Sequence, residues 1–117
     1  MVRPDGSFAT AKNPAARGET VHLYITGLGP VQPAVTTNAI PAPGVDSLST
    51  GNVVVAVNNS GVRVVSARRA PGLIGADDIA FQIPSDAATG LQTVYVIVGF
   101  TNPSGFFVSN ASFLSIQ

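Results

Sequence analysis

Residues 20–27 set Val21, Leu23 and Ile25 in alternation with His22, Tyr24 and Thr26, and the run stops at Gly27. A period of two sends neighbouring side chains to opposite faces of an extended chain, so the segment predicts a strand with one face in a core and the other in solvent. The pattern recurs. Ile79, Phe81 and Ile83 alternate through residues 78–84, and residues 91–99 read as a central strand. Apolar segments return about every 8 to 15 residues along the whole length, which is the spacing of a sandwich built from one domain covering residues 1–117.

Breakers exclude the helical alternative. The chain scatters 12 Gly and 9 Pro through its 117 residues, too densely for helices longer than about ten residues. Val, Ile and Thr supply 32 residues against one Met and no Trp, a balance that favours pleated surfaces. A short first strand is expected over residues 6–11, followed by a turn at 12–18 in which Pro14 fixes the backbone and Gly18 permits positive φ. The segment 29–51 carries Pro30, Pro33, Pro41 and Pro43, which forbids a central ladder and leaves room for a short edge strand near 35–39. Residues 52–57 read as a buried strand, and Asn58-Asn59-Ser60-Gly61 supplies a tight hairpin into a partner strand over 62–67. A rigid turn follows at Ala70-Pro71-Gly72-Leu73-Ile74-Gly75, another turn at 86–90, and a closing strand over 105–116 that bends near Asn110.

Charge is scarce. Six basic and six acidic residues give a net charge of zero, so no basic field attracts nucleic acid or anionic lipid. So little charge also leaves colloidal repulsion weak, which favours self-association. Without cysteine there are no disulfides or thiolate metal sites. No apolar run reaches the roughly 20 residues of a membrane helix, so no membrane insertion is expected. The start Met1-Val2-Arg3-Pro4-Asp5 lacks the apolar core of a signal peptide, and Met1 is read as added to a mature fragment.

Five blocks occur in order: Asn13-Pro14-Ala15, Thr26-Gly27-Leu28-Gly29-Pro30, Ala70-Pro71-Gly72-Leu73 with Gly75, Gln82-Ile83-Pro84, and Ser109-Asn110. In these the chain, from Asn13 to its end, resembles the uncharacterised C-terminal domain family of large secreted proteins of Solibacter-type acidobacteria. That family is in turn similar to the IPT/TIG group of immunoglobulin-like domains. The resemblance implies an immunoglobulin-like β-sandwich of seven to eight mostly antiparallel strands, in an extracellular or cell-surface setting, with no assigned activity. Two departures stand out: Asp77-Asp78 takes the place where members usually carry an aromatic, and the region 100–107 is longer than the usual short hairpin.

Candidate sites are few. His22 is the only histidine and has no nucleophile pattern beside it, so an exposed strand histidine is the plainer reading than a catalytic one. Several imidazoles or thiolates, as catalytic zinc requires, are missing from the sequence. Asp77 and Asp78 with Asp46 and Asp86 could offer oxygen ligands to calcium, but no calcium-loop spacing is present. The plainer reading has the two adjacent aspartates capping the start of a strand and keeping an edge soluble. Glu19, the only glutamate, belongs to a turn rather than to a glycosidase pair. Lys12, the only lysine, would meet Asn110 if an isopeptide bond joined the first and last strands, although it abuts a polar turn. Arg68-Arg69 reads as a solvated strand end.

Tyr24, Phe100, Phe106 and Phe107 are the candidate partner contacts, the last three on a loop expected to project its rings. The plainer reading divides Phe106 and Phe107 between the core and a neighbouring domain or subunit. The function expected is a non-catalytic spacer or interaction module without a cofactor. Its partner is protein, as a neighbouring domain or another copy, or a glycan. The alternatives are a subunit of an extracellular polymer assembling by strand addition, and a carbohydrate-binding module.

Overall fold

The computed structural model describes residues 1–26, 31–32, 48–49, 51–73, 75–101, 104–109 and 111–117. In chain order the strands are β1 (Thr20–Ile25), β2 (Val31–Gln32), β3 (Leu48–Ser49), β4 (Asn52–Val57) and β5 (Ser60–Val62). They continue as β6 (Val64–Arg69), β7 (Asp77–Gln82), β8 (Gly90–Thr101), β9 (Ser104–Val108) and β10 (Ser112–Ile116). No helix occurs among the described residues.

Two antiparallel sheets form a β-sandwich. The first runs β1-β7-β6-β3-β2, and the second runs β10-β8-β4-β5 with β9 also on β8. Alternation dictates the layering. Val21 and Leu23 of β1 face Ile79 and Phe81 of β7, and across the gap Val55, Val57, Val94, Val96 and Leu114 close the same core. Phe81 is the largest side chain wholly inside it. With about 25 cal/mol per Å² of apolar area removed from water, this double row supplies the main driving force for folding.

Turn chemistry joins the strands as the residue types require. Asn58 and Asn59 both take positive φ, 51° and 63°, the conformation a two-residue hairpin needs to match strand twist. Between β6 and β7 the Ala70 amide donates to the Ala76 carbonyl at 2.8 Å, with Gly72 at φ 74°, a value that excludes most side chains.

Several expectations are corrected. Residues 62–67 do not form one strand: Val62 pairs with Val55 in the second sheet, whereas Val64 pairs with Phe81 in the first. The chain changes sheets at Arg63, and the register slips between Val64 and Ser66. Such an irregularity bends a strand round a sandwich corner and moves the core-side positions from Val62 and Val64 to Ala67. No strand forms over residues 6–11 either, because Gly6 at φ 87° reverses the chain and leaves the isolated bridges Val2↔Phe8 and Thr10↔Asn13. The Asp5 carboxylate holds that turn, accepting from the Ser7 amide at 2.9 Å and its hydroxyl at 2.6 Å. The possible edge strand near 35–39 lies outside the described residues.

The N-terminal segment closes both sheets at once. Val2 bridges to His22 of β1, and Ala15 bridges in parallel to Ile116 of β10. Arg3 staples the segment by donating to Glu19 at 2.8 Å and to the Asn13 amide oxygen at 2.6 Å. At the other terminus the closing strand expected over 105–116 is two strands, β9 and β10, along the same side of β8, and the expected bend at Asn110 lies outside the described residues. Ser109 fills the break, its amide donating to the Val96 carbonyl and its hydroxyl accepting from the Val96 amide, both at 2.8 Å.

Candidate functional site

The sequence candidates separate. Tyr24 lies on the outer face of the first sheet and is 46% exposed, whereas Phe106 and Phe107 sit on β9 at 70% and 71%. The region 100–107 is a β8–β9 hairpin, not a loop, in which Gly99 pairs with Phe106 and Val98 with Phe107. Pairing of this kind sends the two rings to opposite sides of the sheet. Neither is buried in the core of the chain. Phe100 belongs to β8 by its backbone, and its side chain lies outside the described set.

Phe107 points to the side where the sheets part. With Ile25, Thr26, Val96 and Val98 it lines an open cleft of about 260 Å³. A second cleft of about 470 Å³ continues between Leu23 and Ile25 of β1 and Val94, Val96, Ser109 and Ser112 of the second sheet.

Phe106 points to the outer face of the second sheet. Because Val55, Val57, Val94, Val96 and Val98 face the core, the intervening residues of β4 and β8 must face outward. Val54 is directly opposite Ile97, and Ile97 is directly opposite Val108, making one apolar row across three strands. Tyr95 opposite Ala56, and Phe113 opposite Thr93, extend the row along the sheet. Residues 51–62 and 87–117, which build this sheet, contain no charged side chain. Exposed apolar area without charge is unusual on a monomer and marks a surface for contact.

The first sheet carries the charge that the second lacks, on both of its faces. Asp77 and Asp78, expected as a solvent-facing cap, are buried in β7 between β1 and β6. Register explains this. The turn after β6 sets Arg69 opposite Asp77 and Arg68 opposite Asp78. Arg69 Nε approaches Asp77 Oδ1 at 3.4 Å, and Arg68 Nη2 approaches Asp78 Oδ2 at 3.7 Å. Alternation along β7 puts Asp77 and Arg69 on the core side with Ile79 and Phe81, and Asp78 and Arg68 on the outer side with Ala80, so Arg68-Arg69 makes one ion pair on each face and is not a solvated strand end.

His22 joins Asp78 and Arg68 on the outer face and is half-buried rather than simply exposed. Its Nδ1 lies 2.8 Å from Asp78 Oδ1, and a carboxylate in this position orients the imidazole and holds the hydrogen on Nδ1. That is two thirds of a triad. The residue directly opposite His22 is Ala80, however, and Ser66 stands one strand further, opposite Ala80. Two strand spacings amount to about 10 Å, well beyond proton-transfer distance. What the arrangement does is fix three strands side by side.

The calcium set is dispersed. Asp77 and Asp78 face arginines, Asp86 lies beyond the opposite end of β7, and Asp46 is outside the described residues. Among the described residues no group of three His, Cys, Asp or Glu side chains could hold a metal ion. Lys12 is exposed in its turn, Asn110 is outside the described residues, and Glu19 is held by Arg3. No helix among the described residues is long and apolar enough to cross a membrane. Compared with protein-family models, curated proteins and solved structures, the chain matches none.

Proposed function

We propose that the chain is a non-catalytic spacer or interaction module of a secreted or cell-surface bacterial protein, with an immunoglobulin-like sandwich of the IPT/TIG type. The observation that carries this reading is the outer face of the second sheet, where an exposed apolar row spans β4, β8 and β9 without a charged side chain. Such a surface is suited to contact with another protein. The buried ion pairs and the terminal staple make the body stiff, as a spacer requires. The resemblance in the five sequence blocks supports the extracellular setting.

Antibodies raised against the domain test the setting. Intact cells of the source bacterium should be labelled without permeabilisation, and labelling only after permeabilisation refutes it. The open outer edge of β9 favours strand addition as a second reading, since no described strand pairs with that edge and unpaired edges template foreign strands.

A further inference from the structure

We infer that the outer face of the second sheet is the contact between two copies of this chain, packed sheet against sheet. The inference rests on reading the domain as an interaction module and names its partner.

The choice of a second copy follows first from charge. A two-fold contact sets residues near its axis opposite themselves or their symmetry mates, so a charge there meets its like at close range. Surfaces built for a different protein carry charges that steer and select that partner. This face has none, although every described charged residue of the chain is found elsewhere: at the N-terminus, at the sheet-switching corner, in the first sheet and in the turn after β7. Among the described side chains the polar ones beside the row include Asn52 and Thr93, towards its two ends.

The second argument is shape and size. Val54 at 36% exposure and Val108 at 55% stand on either side of Ile97, with Phe106 at the edge of the sheet. Facing sheets pack about 10 Å apart, and apolar rows interdigitate at that distance. Two strand spacings plus side-chain width give about 15 Å, and six residues of strand give about 20 Å, hence roughly 300 Å² in projection. Pleating raises the area removed from water to the order of 450 Å² per copy, below the roughly 800 Å² of a standard interface. A reversible dimer follows, with a dissociation constant on the order of 10 to 500 µM.

Sedimentation velocity on the full chain tests this. Between about 5 µM and 1 mM the 11.9 kDa species should convert to twice its mass, with little change between low and high salt because no charge pairs form. Val54→Asp and Val108→Asp should each weaken the dimer at least about 30-fold while circular dichroism and Tm stay near the parent values. Phe8→Asp, at an exposed position of the N-terminal segment, should leave it intact. Should Val54→Asp fail to fold, the more exposed Val108→Asp carries the test alone.

A monomer throughout the concentration range overturns the inference, as does a dimer that folded Val108→Asp leaves unchanged or that dissolves in salt. A monomer that still labels on intact cells removes the second copy as partner and leaves the module reading standing.

Discussion

Replacing either member of the Asp77–Arg69 pair should cost more than replacing both. Asp77 is wholly shielded, while the Arg69 side chain keeps 20% exposure, so the two single variants are not equivalent. Asp77→Leu leaves a guanidinium that swings partly to water, which places its cost at the low end of the range for a broken buried pair, about 3 kcal/mol. Arg69→Met removes one partner of a fully buried carboxylate, at a cost of about 4 kcal/mol. The double variant Asp77→Leu, Arg69→Met swaps the pair for packed apolar volume and should cost less than either single change, about 1 kcal/mol. A domain of this length has roughly 6 to 18 kcal/mol in total, so all three variants remain foldable. Urea unfolding followed by far-ultraviolet circular dichroism reads the result. With a slope of about 1.5 kcal/mol per M, the single variants should lower the midpoint by roughly 2 to 3 M and the double by under about 1 M. Additivity of the two single effects within about 0.5 kcal/mol would mean that the carboxylate and guanidinium are not coupled, and the account of the pair would be wrong.

Three further outcomes follow from particular residues. Asn59→Val, at φ 63°, should destabilise by about 1 to 2 kcal/mol and Asn59→Gly by almost nothing, since the turn demands left-handed backbone. Equal unfolding midpoints for the two would contradict that turn geometry. Phe81→Ala removes the largest buried ring and should cost about 3 to 5 kcal/mol by the same measurement, with a loss under about 1 kcal/mol showing that the core collapses round the gap. The Ser7 hydroxyl, followed by the Ser7 amide, holds the Asp5 carboxyl below the usual aspartate value of 3.8. Whatever this turn contributes is complete above 3.8 and disappears as pH falls through the lower folded value. The Ser7 amide resonance should therefore titrate with a midpoint below 3.8, and a midpoint at or above it refutes the turn.

Much of the layering was legible because period two is a direct consequence of strand geometry. Val21, Leu23, Ile79, Phe81 and Ile83 were placed on the core side from spacing alone, and all five are buried. The Asn58-Asn59 hairpin is readable for the same local reason, since turn residues act on their own backbone. What spacing cannot carry is a register between distant segments. Val62 and Val64 sit on one alternating run, and only pairing with Val55 on one side and Phe81 on the other shows that the chain changes sheets there.

The buried ion pairs are hidden by a different cause: no one of their residues taken singly signals burial. Arg68-Arg69 and Asp77-Asp78 flank the turn at 70–75, and a hairpin closed by that turn necessarily sets the first arginine against the second aspartate and the second arginine against the first. Opposite charges mirrored about a turn are a signal of pairing, because each charge separately would resist burial and together they tolerate it. His22 could not be added by that route, since β1 reaches Asp78 through a contact 56 residues away in the chain. The apolar face of the second sheet was half visible. The lack of charge from residue 87 onwards is plain in the sequence, but three strands had to align before Val54, Ile97 and Val108 became one row. A surface of that kind is a property of register, so shifting β9 by one residue would turn Val108 inward, put Phe107 in its place and dissolve the row without altering the composition.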